Sequence, residues 1–277
     1  MKVNLGGLVH LSTIDWLGQA SMVFFLRGCP LRCPYCQNKE LQGGEELMEI
    51  SRIKEELKRA SSFISTSSQT TLEDALQKVV AKPFISAIVF SGGEPLMQTD
   101  QVAAIAKAAK GLGLKTGLET CGYFPDSLGL LLEKGLLDKV FLDIKAALHD
   151  PEYEKATGRV CVASRVKESL RVSMESGVPL EVRTTIFPDM PSPLEVFEIA
   201  KTLSVLKCKH KSNKLDSLVL QQGRPRDANI KPVSMENLKL LSESAKDLIE
   251  VRIRGAQNMS RTSNDKSLLG DEERIRK

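Results

Sequence analysis

The sequence predicts an α/β protein built on a parallel sheet with crossover helices. Three observations carry this. Short runs rich in Val, Ile and Phe recur about six times; helical patterns with marked starts alternate with them; and the runs end in polar or glycine-containing loops. Periodicity alone leaves two architectures open, an open doubly wound sheet and a barrel.

The strands fall at "SMVFFL" (21–26), "SAIVF" (86–90), "LKTGLE" (114–119), "KVFLDI" (139–144), "LEVRTTIF" (180–187) and "SLVLQQ" (217–222). Between them, Thr71 can cap a helix over 71–80 with Leu72, Ala75, Leu76 and Val79 on one face. Thr99 can cap the alanine-rich stretch that stops at Gly111. Ser192, Pro193 and Glu195 form a capping-box start with proline in the first turn. Further helices fit 126–134, 164–176 before Gly177, and 234–248. Two segments stand outside the repeat. Residues 44–69 hold an extra helix and a Ser/Thr-rich connector, read as an insertion, and 256–277 is charged and poor in apolar residues, as disordered tails are. The main domain is therefore expected over 1–255.

Composition limits the function classes. Of 277 residues, 42% are hydrophobic and 27% charged, and no apolar run approaches the roughly 18 residues of a membrane span. The amino-terminal stretch lacks a signal-peptide core, so a cytoplasmic protein is expected. The net charge of +4 is too small an excess to argue for nucleic acid, and the basic "KCKHKSNK" (207–214) reads as a solvated turn.

Six cysteines stand at 29, 33, 36, 121, 161 and 208, and three of them crowd into "RGCPLRCPYCQN". In a long chain without secretion signals such a cluster points to metal or catalysis rather than to disulfides. The loop directly follows a strand, at the carboxyl end where parallel sheets place their sites. Zinc would need a distant fourth ligand. A [4Fe-4S] cluster is normally held by four thiolates, so three leave one iron with an open position for substrate or cofactor. Arg27, Arg32, Pro30 and Pro34 make this a loop rather than a core element, against a reading as ordinary buried thiols.

The spacing Cys29-x3-Cys33-x2-Cys36, with Tyr35 in the aromatic slot, resembles the radical S-adenosylmethionine superfamily. "SGGEP" (91–95) is similar to that family's second motif at the next strand end. The resemblance implies a partial (βα)6 barrel holding one [4Fe-4S] cluster on Cys29, Cys33 and Cys36, with S-adenosylmethionine chelating the open iron. Gly92 and Gly93 would let backbone approach the cofactor, Glu94 would accept from its ammonium, and Tyr35 would lie near the adenine. "LETCGY" and "FLDIKA" place Glu119, Asp143 and Lys145 at the same rim and resemble the activating enzymes of glycyl-radical proteins. There, acidic residues hold a monovalent cation and the lysine lies near the cofactor carboxylate; a solvated Asp143–Lys145 salt bridge is the alternative. Arg183 matches a basic residue facing the cofactor, with a structural ion pair as its alternative. Gln221 and Gln222 stand where several activators carry histidine. Cys121, Cys161 and Cys208 read as inert thiols.

The implied chemistry is carried by cluster and cofactor, and no side chain is assigned as a catalytic acid or base. A low-potential donor such as ferredoxin or flavodoxin reduces the cluster, the cofactor is cleaved to methionine and a 5′-deoxyadenosyl radical, and the radical takes a hydrogen from a glycine of a partner enzyme. "STIDWLG" and "ETCGY" look most like activators of anaerobic ribonucleoside-triphosphate reductase and of pyruvate formate-lyase, and the reductase is the expected partner. The rivals are a radical enzyme acting on a small molecule, peptide or RNA, and a non-catalytic zinc or iron-sulfur module.

Overall fold

The structure, a computed structural model, describes residues 1–61, 84–210, 214–225 and 231–255. The helix expected over 71–80 and the tail from 256 lie outside these. Among the described residues a nine-stranded sheet runs in the order β3-β1-β2-β4-β5-β6-β7-β8-β9. The strands are β1 (Lys2–Ser12), β2 (Ser21–Leu26), β3 (Leu47–Glu49), β4 (Ala87–Gly92), β5 (Lys115–Thr120), β6 (Lys139–Asp143), β7 (Leu180–Ile186), β8 (Leu215–Gln222) and β9 (Val251–Arg254). From β2 through β4 to β9 every neighbouring pair is parallel, while β1 is antiparallel to both β2 and β3.

The helices are α1 (Ile50–Ser61), α2 (Thr99–Gly111), α3 (Pro125–Glu133), α4 (Asp150–Thr157), α5 (Val162–Glu175), α6 (Pro193–Lys209) and α7 (Met235–Ala245). The capping box at Ser192 forms as the sequence predicts, with Ser192 and Glu195 each accepting the other's backbone N–H. Thr99 does not cap. It is the first helical residue, and its hydroxyl donates back to the Leu96 carbonyl at 2.7 Å. The expected insertion supplies α1, but its first residues form β3, which extends the sheet beside Lys2–Asn4. Two further strands escape the periodicity. Glycines interrupt the apolar pattern of β1 at Gly6 and Gly7, and β9 is only four residues, two of them charged, as suits a strand at the sheet edge.

Alternation along the parallel strands sorts side chains into two cores. Residues facing outward, such as Phe24, Phe90, Leu118 and Leu142, meet the helices in one large cluster. Inward-facing Val23, Ala87, Val89 and Phe141 form a small plug with Trp16 from the loop after β1. Gly117 makes room for it: a Cβ there would sit 3.0 Å from the Trp16 ring and 3.1 Å from Phe141. The sheet thus curls around the Trp16 plug without closing: its edge strands β3 and β9 do not pair, and β3 covers only Lys2–Asn4 of β1. The loop after β1 reaches across, where the Asp15 carbonyl accepts from Arg183 Nη2 of β7 at 2.8 Å.

Candidate active site

Above the plug lies a cavity of about 940 Å³ lined by residues from across the sheet, from Val9 and Leu11 of β1 to Arg254 of β9. Cys29, Cys33 and Cys36 all face it. The loop carrying them leaves β2 at Leu26 and is pinned on two sides. Gly28 N–H donates to the Leu41 carbonyl at 2.8 Å, and Arg32 N–H to the Thr157 carbonyl at the end of α4 at 2.8 Å.

The glycine pair after β4 is fitted to this loop. Gly92 has φ +113°, and a Cβ there would lie 2.5 Å from Leu26 N and O; one on Gly93 would collide with the Gly28 carbonyl. Glu94 N–H donates to that same carbonyl at 2.7 Å. Both glycines line the cavity; Glu94 does not. Its carboxylate is fully buried and accepts from Leu96 N–H (3.1 Å), the Thr120 hydroxyl (2.9 Å) and Cys121 N–H (2.8 Å). Burial pushes its pKa up, against these hydrogen bonds. Glu94 thereby ties the turn after β4 to the end of β5.

Tyr35 lines the cavity with its ring stacked on Phe187 at 4.4 Å and its hydroxyl donating to Asp189 at 3.3 Å. Glu119 faces the cavity, held by the Ser91 hydroxyl at 2.5 Å and by Arg183 Nη1. Arg183 spends its other nitrogens on Glu181 (Nε, 2.7 Å) and the Asp15 carbonyl, and its guanidinium lies 4.1 Å from the Phe141 ring centroid. Burial alone would lower its pKa; Glu119 and Glu181 raise it instead. The arginine thus links β7, β5 and the loop after β1 while it also lines the cavity.

Asp143 and Lys145 both line the cavity and pair at 2.7 Å. Burial disfavours the ammonium, but Asp143 and Cys33 beside it raise its pKa well above the usual lysine value. The second Asp143 oxygen, Oδ1, is buried with no hydrogen-bond partner. Gln221 lines the cavity, whereas Gln222 donates to the Val233 carbonyl at 2.6 Å. Cys121 is buried at the cavity wall, and Cys161 and Cys208 are exposed.

The donor set fits a cluster better than a single ion. Burial raises Cys29 to about 11 and raises Cys33 as well, as expected for thiols that become thiolates only against metal charge. Among the described residues, no three His, Cys, Asp or Glu converge tightly enough for one ion. Thiolates bound to separate irons of a cubane lie farther apart than thiolates sharing one zinc, so three spaced cysteines suit a [4Fe-4S] cluster with one iron left over.

Sequence reasoning missed Ser91, Phe187, Asp15 and Arg254 at this site. Ser91 and Asp15 lie in quoted motifs but act through a hydroxyl and a backbone carbonyl. Phe187 and Arg254 are marked only by their positions at strand ends.

A family model described as Radical SAM superfamily matches residues 23–197. A protein of Methanocaldococcus jannaschii, provisionally named a glycyl-radical enzyme activating enzyme, is 31% identical over 90% of this chain and 95% of its own length. The pyruvate formate-lyase-activating enzyme of Clostridium pasteurianum is 29% identical over 73% of this chain and 76% of its own. Among solved structures, native anSMEcpe with bound AdoMet superposes with a TM-score of 0.51 at 13% identity, over 82% of this chain and 61% of that one, a likeness of fold.

Proposed function

This chain belongs to the radical SAM superfamily and is homologous to glycyl-radical enzyme activating enzymes, and from that premise we propose that it generates a glycyl radical on a partner enzyme, anaerobic ribonucleotide reductase being the partner its motifs favour. The observation that carries the reading is the cavity itself, which the three cysteines share with Val9 and Leu11 of β1 and with Arg254 of β9, strands that do not pair with each other. A loop of another protein needs room beyond the cluster loop.

Bound at the cysteines, the cluster and S-adenosylmethionine supply one-electron cleavage to methionine and a 5′-deoxyadenosyl radical. The chain's own residues do the rest. Gly92 and Gly93 bring bare backbone to the cluster loop, and Lys145 holds a positive charge at the rim where a methionine carboxylate would lie. Asp143 Oδ1, buried without a donor, is an open position for a monovalent cation, with Glu119 as a further oxygen on the same rim. Trp16, Val89 and Phe141 close the inner end against water. Thiols used as iron ligands, in a chain with no helix among its described residues long and apolar enough to cross a membrane, suit the cytoplasm.

Anaerobic reconstitution, reduction with dithionite and mixing with a glycyl-radical reductase or lyase from the same genome tests the proposal by electron paramagnetic resonance. A glycyl-radical signal on the reductase is expected. Formation of 5′-deoxyadenosine with no radical on either partner would assign the chain to another reaction of the superfamily.

A further inference from the structure

Three exposed arginines surround the cysteine loop, and among the described residues none of them pairs with a carboxylate. Arg32 Nη1 donates to the carbonyls of Cys29 and Leu31, both at 2.7 Å. Arg159 Nη1 donates to the Pro30 carbonyl at 3.0 Å. Arg159 and Arg165 then share one aromatic ring, their guanidinium carbons 4.8 and 4.7 Å from the centroid of Tyr123. Arg27, Arg59, Arg171 and Arg252, by contrast, each pair with a carboxylate.

The patch is held in place from below. Gly158, with φ +63°, presses on the loop so closely that a Cβ would lie 3.0 Å from the Arg32 carbonyl. Val160, 58% exposed, adds an apolar spot beside Arg159. Holding two guanidiniums on one ring without a counterion is costly until an anion arrives, and cations on an aromatic face retain their charge for it. Because two of the three arginines bond the loop between Cys29 and Cys33, whatever neutralises them is brought against the cluster's own backbone.

We propose that Arg32, Arg159 and Arg165, with Val160, form the docking surface for a small acidic electron-transfer protein that reduces the cluster. The step is a single electron passing from the reduced donor to the oxidised cluster, without bond making. It rests on the reading that the cysteines hold a reducible [4Fe-4S] cluster.

The test uses the reconstituted full chain and a double variant, Arg159→Gln with Arg165→Gln, with two reductants: a reduced acidic plant-type ferredoxin and dithionite. Cluster reduction is followed by loss of visible absorbance, and ferredoxin affinity by titration of its oxidised form. With the native chain, the ferredoxin rate and affinity should fall as salt rises. At low salt the variant should be on the order of tenfold to a hundredfold slower with ferredoxin and bind it more weakly. Dithionite should reduce both chains equally. Equal ferredoxin rates and affinities, a native rate indifferent to salt, or parallel slowing with dithionite would each overturn the proposal. Should the double variant misfold, Arg165→Gln alone serves, because Arg165 makes no hydrogen bond to the loop. A native chain that assembles no cluster would overturn the functional reading itself.

Discussion

Gly93→Ala offers a sharp test of how the two motifs fit together. Gly93 does not have a positive φ, so alanine fits its backbone, and on conformational entropy alone the change should stabilise by about 0.4–1 kcal/mol. Sterics reverse the sign. The new Cβ would collide with the Gly28 carbonyl oxygen, sit 2.8 Å from its carbon, and touch the Leu41 carbonyl oxygen at 3.0 Å. These are backbone atoms that already accept from Glu94 and Gly28, so no side chain can rotate aside. Overpacking of this kind costs about 1–3 kcal/mol, which for a domain this size lowers Tm by roughly 2–12 °C. Gly111, where a Cβ meets nothing, is the control, and Gly111→Ala should hold or raise Tm. Thermal unfolding of both, with iron per chain after reconstitution, is the assay. The cysteine loop must move to admit the methyl, so iron should fall in Gly93→Ala alone. A Gly93→Ala protein as stable and as iron-rich as Gly111→Ala would refute the fit of the glycine turn against the loop.

Glu94→Ala strands three buried donors, on Leu96, Thr120 and Cys121, and should cost on the order of 3 kcal/mol in a urea titration; a loss under about 1 kcal/mol would mean that Glu94 does not brace β4 against β5. Burial would raise Glu181, but Arg183, Lys139 and Arg254 hold it below the usual carboxylate value. A depressed carboxylate contributes stability above its unfolded pKa, about 4.3, and loses it as pH falls through the lower folded value. The urea-midpoint gap between native protein and Glu181→Gln should therefore narrow as pH drops below about 4; a constant gap contradicts this. Asp143→Asn should weaken any potassium dependence of S-adenosylmethionine binding, measured by calorimetry with and without the ion, and an unchanged dependence would place the cation elsewhere.

Much of the fold was legible because buried parallel strands read as apolar runs, and six of the seven parallel strands fell where those runs are. What the sequence hid is explained by packing. β1 carries two glycines mid-strand, and β9 is short, edge-placed and half charged, so neither shows a usable period. At the site, the cysteines, the glycine pair and the rim charges were visible as motifs. The roles inside the motifs were not. Nothing in the sequence shows that the Glu94 carboxylate gathers three buried donors, or that every Arg183 nitrogen is engaged while the side chain lines the cavity. The arginine surface around the loop depends on residues 32, 159 and 165 meeting at one place, which sequence separation conceals.

The proposed chemistry requires one iron without a protein ligand, open to S-adenosylmethionine. Mössbauer spectra of the 57Fe-reconstituted chain, taken before and after adding S-adenosylmethionine, test for that iron. About a quarter of the iron signal should shift on addition while the rest stays put, as one open corner of a [4Fe-4S] cluster requires. Spectra that do not change, in a chain with its cluster intact, would contradict the account.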